Sequence, residues 1–467
     1  MLFPGSYIER FEQSRFAITI TQASVRQAGR FNLYAPFVKK LDIYSRGLVT
    51  HYEISGQSHL VILSRQQTLL PNLASLIMTT PCEDCYWDVV LWVRLFASES
   101  LITVRSHPIF ADDPPRISYF AASVALKWVV ERCPRLEFLA LFPSRELADE
   151  VDVEDGENKL LVQLYEKPFH CYLTPALAIR TLWCSLPMLE SDSLQAVSEL
   201  PQLQSLVVYH TSDSLQPSTV ELAIHSFPSL VELTLYLPDT AEIDRVLSIY
   251  PLLTKLETLS VHLDIHVHGP DIDWMKHGFF PALSRAIRLK TLHVNFDPYG
   301  TSEPLELGHI SVLSPLSQLP LQAIFMAPIA FQLSGTPTIL GGIWSQVSVV
   351  LLPSTYVCLG GLHIFAHLPN LETLVLELSV CSHFNENNAP NPPLALRLRK
   401  LEGSPKSVIA QDVDVERVSS YLLSLWPNLR HVDWYGRTGA QPPELIRSLN
   451  ARLQAFSNQS RLVQLNL

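Results

Sequence analysis

The stretch TLSVHLDIHVHG, residues 258–269, places four side chains that could do chemistry at every second position. They are His262, Asp264, His266 and His268. Imidazole and carboxylate groups bind zinc, and they also accept and donate protons during hydrolysis. The pattern therefore raises two alternatives. One is a metal-dependent or acid–base hydrolase site, to which His277 and Asp271 could add groups. The other is the solvent-facing side of a β-strand.

The residues between these four groups favour a strand. They are apolar: Val261, Leu263, Ile265 and Val267. Successive side chains of a strand point to opposite faces, and residues on one face lie about 7 Å apart. At that spacing, only neighbouring alternate positions can reach one ion, and two ligands fall short of a closed metal site. We therefore expect a polar strand face and keep the hydrolase as the alternative.

Motifs typical of enzymes are missing from the rest of the sequence. It contains no G-x-S-x-G, no phosphate-binding G-x-x-x-x-G-K-[ST] and no H-E-x-x-H. Cys82 and Cys85 form the only C-x-x-C, without a second pair at zinc-ribbon spacing. We therefore expect a protein that is not an enzyme and has no catalytic residue, metal or cofactor.

Charge and hydropathy narrow the class of partner. The 467 residues carry a formal net charge of −11. Nucleic-acid binding needs a basic surface to neutralise phosphates, and an anionic membrane surface also attracts basic proteins. We therefore expect neither nucleic acid nor membrane as a partner. The N-terminus shows no basic segment followed by an apolar one, which predicts an intracellular protein, cytoplasmic or nuclear.

A degenerate repeat organises the chain. Its pattern is P-x-L-x-x-L-x-L, as in LPQLQSLVV (200–208), FPSLVELTL (227–235) and LPNLETLVL (368–376). The leading leucines 203, 230 and 256 follow one another at the spacing of leucine-rich repeats. AIRTLW (178–183) and LPLQAIF (319–325) are predicted to be degenerate units of the same kind.

Helices are predicted between the strands. The segments 118–133 and 412–426 read as helices that each run into a proline turn. Asp239 and Glu242 have the spacing of a helix cap, and Ser218 with Glu221 predicts another helix near 216–227.

Strand, helix and proline turn in repetition predict an α/β leucine-rich-repeat solenoid. We expect it to be horseshoe-like, with a parallel sheet on the concave face and helices on the convex face. The expected organisation is an N-terminal lead-in or cap over residues 1–30 and a single irregular array over residues 31–467.

Three segments resemble a known family. RFNLYAPFVKKLDIY (30–44), LPNLETLVL (368–376) and WPNLRHVDW (426–434) resemble the repeat region of the fungal F-box-like leucine-rich-repeat proteins. The resemblance implies the target-recognition region of a ubiquitin-ligase substrate adaptor, with a protein target bound on the concave face. The residues before this region show no F-box signature. Binding to the ligase scaffold is therefore expected only if an F-box lies upstream.

The repeat register predicts which side chains form the binding surface. The residue after L-x-L should point into the concave side, where Tyr and His combine apolar area with a polar tip. The predicted protein-binding residues are Phe142, Tyr209, Tyr236, His262, Asp264, His266, Asn295, Glu377 and Tyr435. The alternative is that aromatic residues occur here because they favour strands.

One long segment carries no formal charge. Residues 307–371 contain no Asp, Glu, Lys or Arg. We expect well-buried repeats there, and the alternative is an exposed apolar surface that contacts a partner.

Overall fold

The structure is a computed structural model. It describes residues 7–12, 15–19, 29–43, 51–55, 57–79, 86–107, 116–145, 167–174, 176, 178–211, 221–223, 225–263, 272–296, 303–333, 338–381, 397–410, 413–435 and 444–465. The chain divides into two compact units, Met1–Tyr236 and Leu237–Leu467. The predicted lead-in over 1–30 and single array over 31–467 stay predictions.

The first unit is built on a parallel sheet. Its strands are β1 (Tyr7–Glu12), β2 (Arg15–Thr19), β3 (Lys40–Ile43), β4 (His51–Ser55), β5 (Ser75–Thr79), β6 (Thr103–His107), β7 (Ile117–Ser118), β8 (Phe138–Leu141), β9 (Pro143–Ser144), β10 (Thr181–Ser185), β11 (Ser205–Tyr209) and β12 (Glu232–Leu237). Strands β3, β5, β6, β8, β10, β11 and β12 pair in that order, and every pair is parallel. Strand β2 pairs antiparallel with β1 and parallel with β4, and β7 pairs with β9.

Helices connect the strands of this unit. The α-helices are α1 (Gly29–Tyr34), α2 (Gln57–Gln66), α3 (Tyr86–Phe96), α4 (Tyr119–Arg132) and α5 (Ser191–Ser198), and 3₁₀ turns cover Ala35–Phe37, Phe169–Tyr172 and Leu186–Leu189. The predicted helix at 118–133 is confirmed, and the Ser118 hydroxyl caps it by accepting from the Ala121 N–H at 3.1 Å. The helix predicted near 216–227 is wrong in the part of that segment that the structure describes. There, Phe227 has φ 54 and its N–H donates to the Ser198 carbonyl at 2.7 Å, which no continuing helix allows.

The second unit repeats the arrangement. Its strands are β13 (Thr258–Leu263), β14 (Thr291–Asn295), β15 (Leu305–His309), β16 (Ala323–Ala327), β17 (Ile329–Gln332), β18 (Val349–Cys358), β19 (Thr373–Val380), β20 (Lys400–Gly403), β21 (Val408–Ile409) and β22 (His431–Trp434). Strands β13, β14, β16, β18, β19, β20 and β22 pair in that order, all parallel. Strand β15 pairs with β17, and β21 pairs with β19.

The helices of the second unit confirm two further predictions. They are α6 (Thr240–Ser248), α7 (Tyr250–Leu253), α8 (Ile272–Trp274), α9 (Phe280–Leu283), α10 (Thr338–Ile343), α11 (Val415–Leu425) and α12 (Glu444–Leu465), with a π-helix at Met275–Phe279 and 3₁₀ helices at Ile310–Gln318 and Leu359–His367. Asp239 caps α6 by accepting from the Glu242 N–H at 2.9 Å. The helix predicted at 412–426 is α11, capped by Asp414. None of the helices in the described residues is long and apolar enough to cross a membrane.

Where a repeat carries the proline, the proline lies in a tight turn before the strand. In the turn 70–73, the Leu73 N–H donates to the Leu70 carbonyl at 3.2 Å. Proline suits the second position of such a turn because its φ is already close to the required value. The Asn72 side-chain amide donates to the Pro36 carbonyl at 2.8 Å and so ties the turn to the preceding repeat.

The leucines of the repeat form the core. On β13, Leu259, Val261 and Leu263 are fully buried, while Ser260 and His262 between them are half-buried. Parallel pairing in register places the same inward positions of neighbouring strands side by side, and the buried faces of the helices complete the core. The predicted α/β solenoid of parallel strands and helices is confirmed within each unit.

Candidate functional site

In each unit, one face of the sheet carries the buried leucines of the repeat, and we call the opposite face the open face. On β10, Leu182 and Cys184 are fully buried in the core, so Thr181, Trp183 and Ser185 point to the open face. The register of the parallel pairs carries this alternation across each unit. A strand therefore offers up to three positions to the open face.

Four aromatic side chains lie on the open face of the first unit. We call them, together with Arg105, the aromatic surface: Phe138, Trp183, Tyr209 and Tyr236. Phe138 and Trp183 meet edge to face with ring centroids 5.3 Å apart, and Trp183 lies 6.0 Å from Tyr209. Tyr209 and Tyr236 stack at 4.6 Å with an interplanar angle of 9°. These rings come from four consecutive strands of the sheet, so they form one continuous row.

Arg105 on β6 adds a positive charge to this row. Its guanidinium carbon lies 4.2 Å from the centroid of Trp183 and 5.5 Å from that of Phe138. The negative face of an aromatic ring attracts a cation at these distances. Burial raises the pKa of Tyr236, so its hydroxyl stays neutral and can donate a hydrogen bond at neutral pH. The aromatic surface thus offers apolar area, a cation and a phenol hydroxyl together.

Phe142 lies beneath this row. It is only 1% exposed, and its ring meets that of Tyr209 edge to face at 5.4 Å. The small side chain of Ser185 on the intervening strand leaves room for this contact, and its hydroxyl donates to the Pro143 carbonyl at 2.6 Å. Tyr209 itself is 7% exposed. Of the predicted binding residues in this unit, Tyr236 is the most accessible, and Phe142 holds Tyr209 in place.

A second cluster lies on the open face of the second unit. His262 and His293 have ring centroids 5.1 Å apart, and His293 meets Phe325 edge to face at 4.2 Å. Burial, and secondarily the charge of His293, lowers the pKa of His262 to about 4. Burial also lowers the pKa of His293. Both imidazoles are therefore neutral at pH 7.

The lowered pKa of His262 predicts a loss of stability in acid. Its pKa in the unfolded chain is 6.5, so between pH 6.5 and about 4 the unfolded state binds more protons than the folded state. The stabilisation is fully present above pH 6.5 and is lost as pH falls toward 4. We expect His262→Gln to remove part of this acid sensitivity, on the order of 1–2 kcal/mol. Urea unfolding of the wild type and of His262→Gln at pH 7.5 and pH 4.5 measures the two free energies of unfolding. The same pH dependence in both proteins would contradict the prediction.

The other predicted residues lie on separate strands of the second unit. Asn295 pairs in register with His262. Glu377 lies beside Tyr356, which is 61% exposed, and burial raises the pKa of the Glu377 carboxyl. Tyr435 follows β22 and is 55% exposed. Asp264 and His266 lie outside the described residues.

The metal alternative rests on residues that the structure leaves undescribed. Among the residues it does describe, no three or more His, Cys, Asp or Glu side chains are grouped so that they could hold a metal ion. His277 is described and lies in the π-helix Met275–Phe279. Asp264, His266, His268 and Asp271 fall outside the described residues, as do Cys82 and Cys85. The hydrolase alternative therefore stays a prediction.

A charged network occupies the open face of β20 and β22. Lys400 Nζ lies 2.6 Å from Glu402 Oε1 and 3.2 Å from Asp433 Oδ2. His431 Nε2 lies 2.6 Å from Asp433 Oδ1. Hydrogen bonding to Glu402 is the main cause that raises the pKa of Lys400. The charges of this network are largely paired with one another, which is typical of a structural ion-pair network.

In the charge-free segment 307–371, the described residues form well-buried repeats rather than an exposed apolar surface. The segment forms β16, β17, β18, the helix α10 and two 3₁₀ helices, and their large apolar side chains are mostly buried. Tyr356 is the one large hydrophobic side chain in the described part of this segment that is exposed. Phe325 and Leu351 lie next to each other in register on the open face and are half-buried.

Sequence reasoning missed several residues of both clusters. Phe138, Trp183 and Arg105 were not selected in the first unit, nor were His293 and Phe325 in the second. Phe138 stands four residues before the predicted Phe142, and His293 stands two residues before the predicted Asn295. Arg105, Trp183 and Phe325 stand on β6, β10 and β16, for which no binding residue was predicted. The alternation of the strands was the signal that could have found them.

The fold and the open face define the class of protein: an α/β leucine-rich-repeat solenoid with an aromatic row on the open face of one unit. No protein-family model matches the sequence, and no curated protein matches it. The chain is similar to a chain in the crystal structure of the mouse RP105/MD-1 complex, with 16% identity and a TM-score of 0.42. The similarity covers 85% of this chain and 59% of that chain, so this chain spans less than two thirds of the other's length.

Proposed function

We propose that this chain is a non-enzymatic protein-interaction module that binds a protein partner on the open face of its sheet. The observation that carries the proposal is the aromatic surface. Four rings from consecutive strands and one arginine lie together on the open face. Trp, Tyr and Arg are the residue types that most often dominate the energy of protein interfaces.

The packing within the aromatic surface supports a binding role. Trp183 contacts Phe138, Tyr209 and Arg105, so its ring has little rotational freedom left to lose. Binding is stronger when the contacting side chains are already ordered, because less entropy is lost on association. A partner with an apolar side chain for the rings and an acidic group for Arg105 would match this surface.

We further propose that the module serves as the target-recognition region of an F-box/leucine-rich-repeat ubiquitin-ligase substrate adaptor. This finer proposal rests on the resemblance of 30–44, 368–376 and 426–434 to that fungal family. In that role the bound target would be delivered for ubiquitination, and an upstream F-box would hold the ligase scaffold. Co-purification of scaffold subunits with the product of the complete gene tests it.

Site-directed photo-crosslinking tests the interaction proposal. A photoreactive phenylalanine at Thr234 would sit on the open face of β12, because Leu233 and Leu235 on either side are fully buried. The same group at Gln195 would sit on the exposed side of helix α5. In cells that produce the protein, we expect a discrete protein adduct from position 234 and none from position 195.

The adduct needs a competition control. Adding Trp183→Ala to the Thr234 reporter should remove the adduct if the aromatic surface binds the partner. Adding Thr181→Ala, a change on the open face of the same strand, should leave it. Adducts of equal yield from positions 234 and 195 would contradict the proposal.

A further inference from the structure

Three consecutive helices of the first unit carry an arginine in their last turn. Arg65 lies in the last turn of α2, Arg94 in the last turn of α3 and Arg132 in the last turn of α4. The ends of all three helices line one open cavity of about 690 Å³. Arg65 and Arg132 are among its lining residues, with polar groups such as Ser64, Gln67 and Ser98. Arg65 and Arg132 thus bring basic side chains to one cavity, and Arg94 lies behind its lining.

Arg94 is the unusual member of the three. It is only 6% exposed, and its guanidinium carbon lies 5.3 Å from the Trp128 ring centroid. Arg132 approaches the same ring at 4.3 Å, so two cations share one indole. Among the described residues, no carboxylate forms an ion pair with Arg65, Arg94 or Arg132. Buried charges in proteins are normally paired with an opposite charge, whereas Arg94 packs against an aromatic ring and a second arginine.

Two other positive charges act on the Arg94 guanidinium. Burial lowers its pKa, and the positive charges of Arg65 and Arg132 lower it further. Glu99 and Glu131 also line the cavity, but both are exposed, and neither is a cause of the shift at Arg94. An anion bound in the cavity beside Arg65 and Arg132 would relieve this repulsion.

Helix ends alone explain only part of the arrangement. A basic side chain in the last turn interacts favourably with the negative end of a helix. That effect needs one exposed arginine for each helix. It does not need a buried arginine beside two others, nor a shared polar cavity.

We propose that Arg65 and Arg132, with the charge of Arg94 behind them, form a binding site for a small phosphorylated molecule. Guanidinium groups bind phosphate oxygens through paired, charge-assisted hydrogen bonds. The cavity volume falls within the range of small-molecule sites and exceeds what a single phosphate ion needs. The site lies at the ends of the helices, so it is separate from the aromatic surface and independent of the proposed function.

Thermal unfolding with pyrophosphate as the probe tests the site. A ligand that binds only the folded state raises the melting temperature, by roughly 3–8 °C at about 100 times its Kd. We expect this rise for the wild type with pyrophosphate and a smaller one with inorganic phosphate, since a second phosphate group adds contacts. Sodium chloride at matched ionic strength should produce neither rise.

Two double variants separate the site from a general charge effect. Arg65→Gln/Arg132→Gln should lose the pyrophosphate-dependent rise. Lys39→Gln/Arg180→Gln removes two exposed positive charges from the same unit outside the cavity and should keep it. If the first variant fails to fold, Arg132→Gln alone should reduce the rise at least threefold. No rise in the wild type beyond the chloride control, or an equal rise in both double variants, would overturn the proposal.

Discussion

Replacing Leu292 with alanine should lower the free energy of unfolding by about 2–5 kcal/mol. Leu292 is fully buried on β14, in register between Leu259 of β13 and Ile324 of β16. The truncated side chain leaves a cavity, because the parallel hydrogen bonds to both neighbouring strands prevent the backbone from closing it. The loss therefore includes the transfer free energy of the missing carbons and the cost of the cavity.

The matched control is the preceding residue of the same strand. Thr291 faces the open side and is half-buried, so Thr291→Ala should change the free energy of unfolding by less than about 0.5–1 kcal/mol. Urea unfolding followed by tryptophan fluorescence compares the two variants under identical conditions. A one-residue shift of the strand register would exchange the two faces and with them the two results. Equal losses would contradict the assignment of Leu292 to the core.

Much of the fold was predictable because each repeat of a solenoid has its own short sequence pattern of apolar residues. The segments AIRTLW and LPLQAIF, predicted as degenerate units, form β10 and β16. In both, an apolar residue three positions before the first inward residue of the strand keeps the turn packed. Ile179 is fully buried, and Leu321 is 1% exposed. The position of the apolar residues mattered more than which apolar residue stood there, so the degenerate repeats still form repeat units.

Other strands were not predicted, because their sequences lack the proline of the repeat and contain charged residues. Strand β6 contains Arg105, and β20 contains Lys400 and Glu402. Their pairing depends on the neighbouring repeat rather than on their own sequence. The N–H groups of Ile102 and Thr103 both donate to the Ala74 carbonyl of the repeat before. Such a non-local bond leaves no mark in the local composition.

The binding face was only partly predictable for a related reason. Choosing one position per strand selected Tyr209 and Tyr236, which the structure stacks together. It could not reveal that Phe142 is buried, because its depth depends on the small Ser185 of another strand. It also passed over Trp183, two residues before Ser185 on the same strand and face. Contacts between strands decide which open-face residues are accessible, and no single strand contains that information.

Trp183→Ala should weaken binding of the crosslinked partner by about 30- to 1000-fold, corresponding to about 2–4 kcal/mol. Trp183 lies between Phe138 and Tyr209 in the aromatic surface and under the guanidinium of Arg105. Its removal takes away a large apolar contact and also frees Arg105 from its ring, so the partner loses two ordered groups at once. Titration of the purified partner by calorimetry measures the change.

A conservative variant separates binding from folding. Trp183→Phe keeps an aromatic ring against Phe138 and should recover part of the affinity, whereas Thr181→Ala on the same strand should bind within about threefold of the wild type. The loss should appear mainly as faster dissociation, because mutations within one interface change the off-rate more than the on-rate. Each variant should also be compared with the wild type in urea unfolding, since Trp183 contributes to packing within the sheet.

The combination of Trp183→Ala with Arg105→Ala distinguishes a shared site from two separate contacts. If Arg105 acts through its position over the indole, the double variant should lose clearly less than the sum of the two single losses, because each single change already disrupts the same pair. Additive losses would mean that Arg105 and Trp183 contact the partner independently. Unchanged affinity in the double variant would place the partner elsewhere and contradict the role of the aromatic surface.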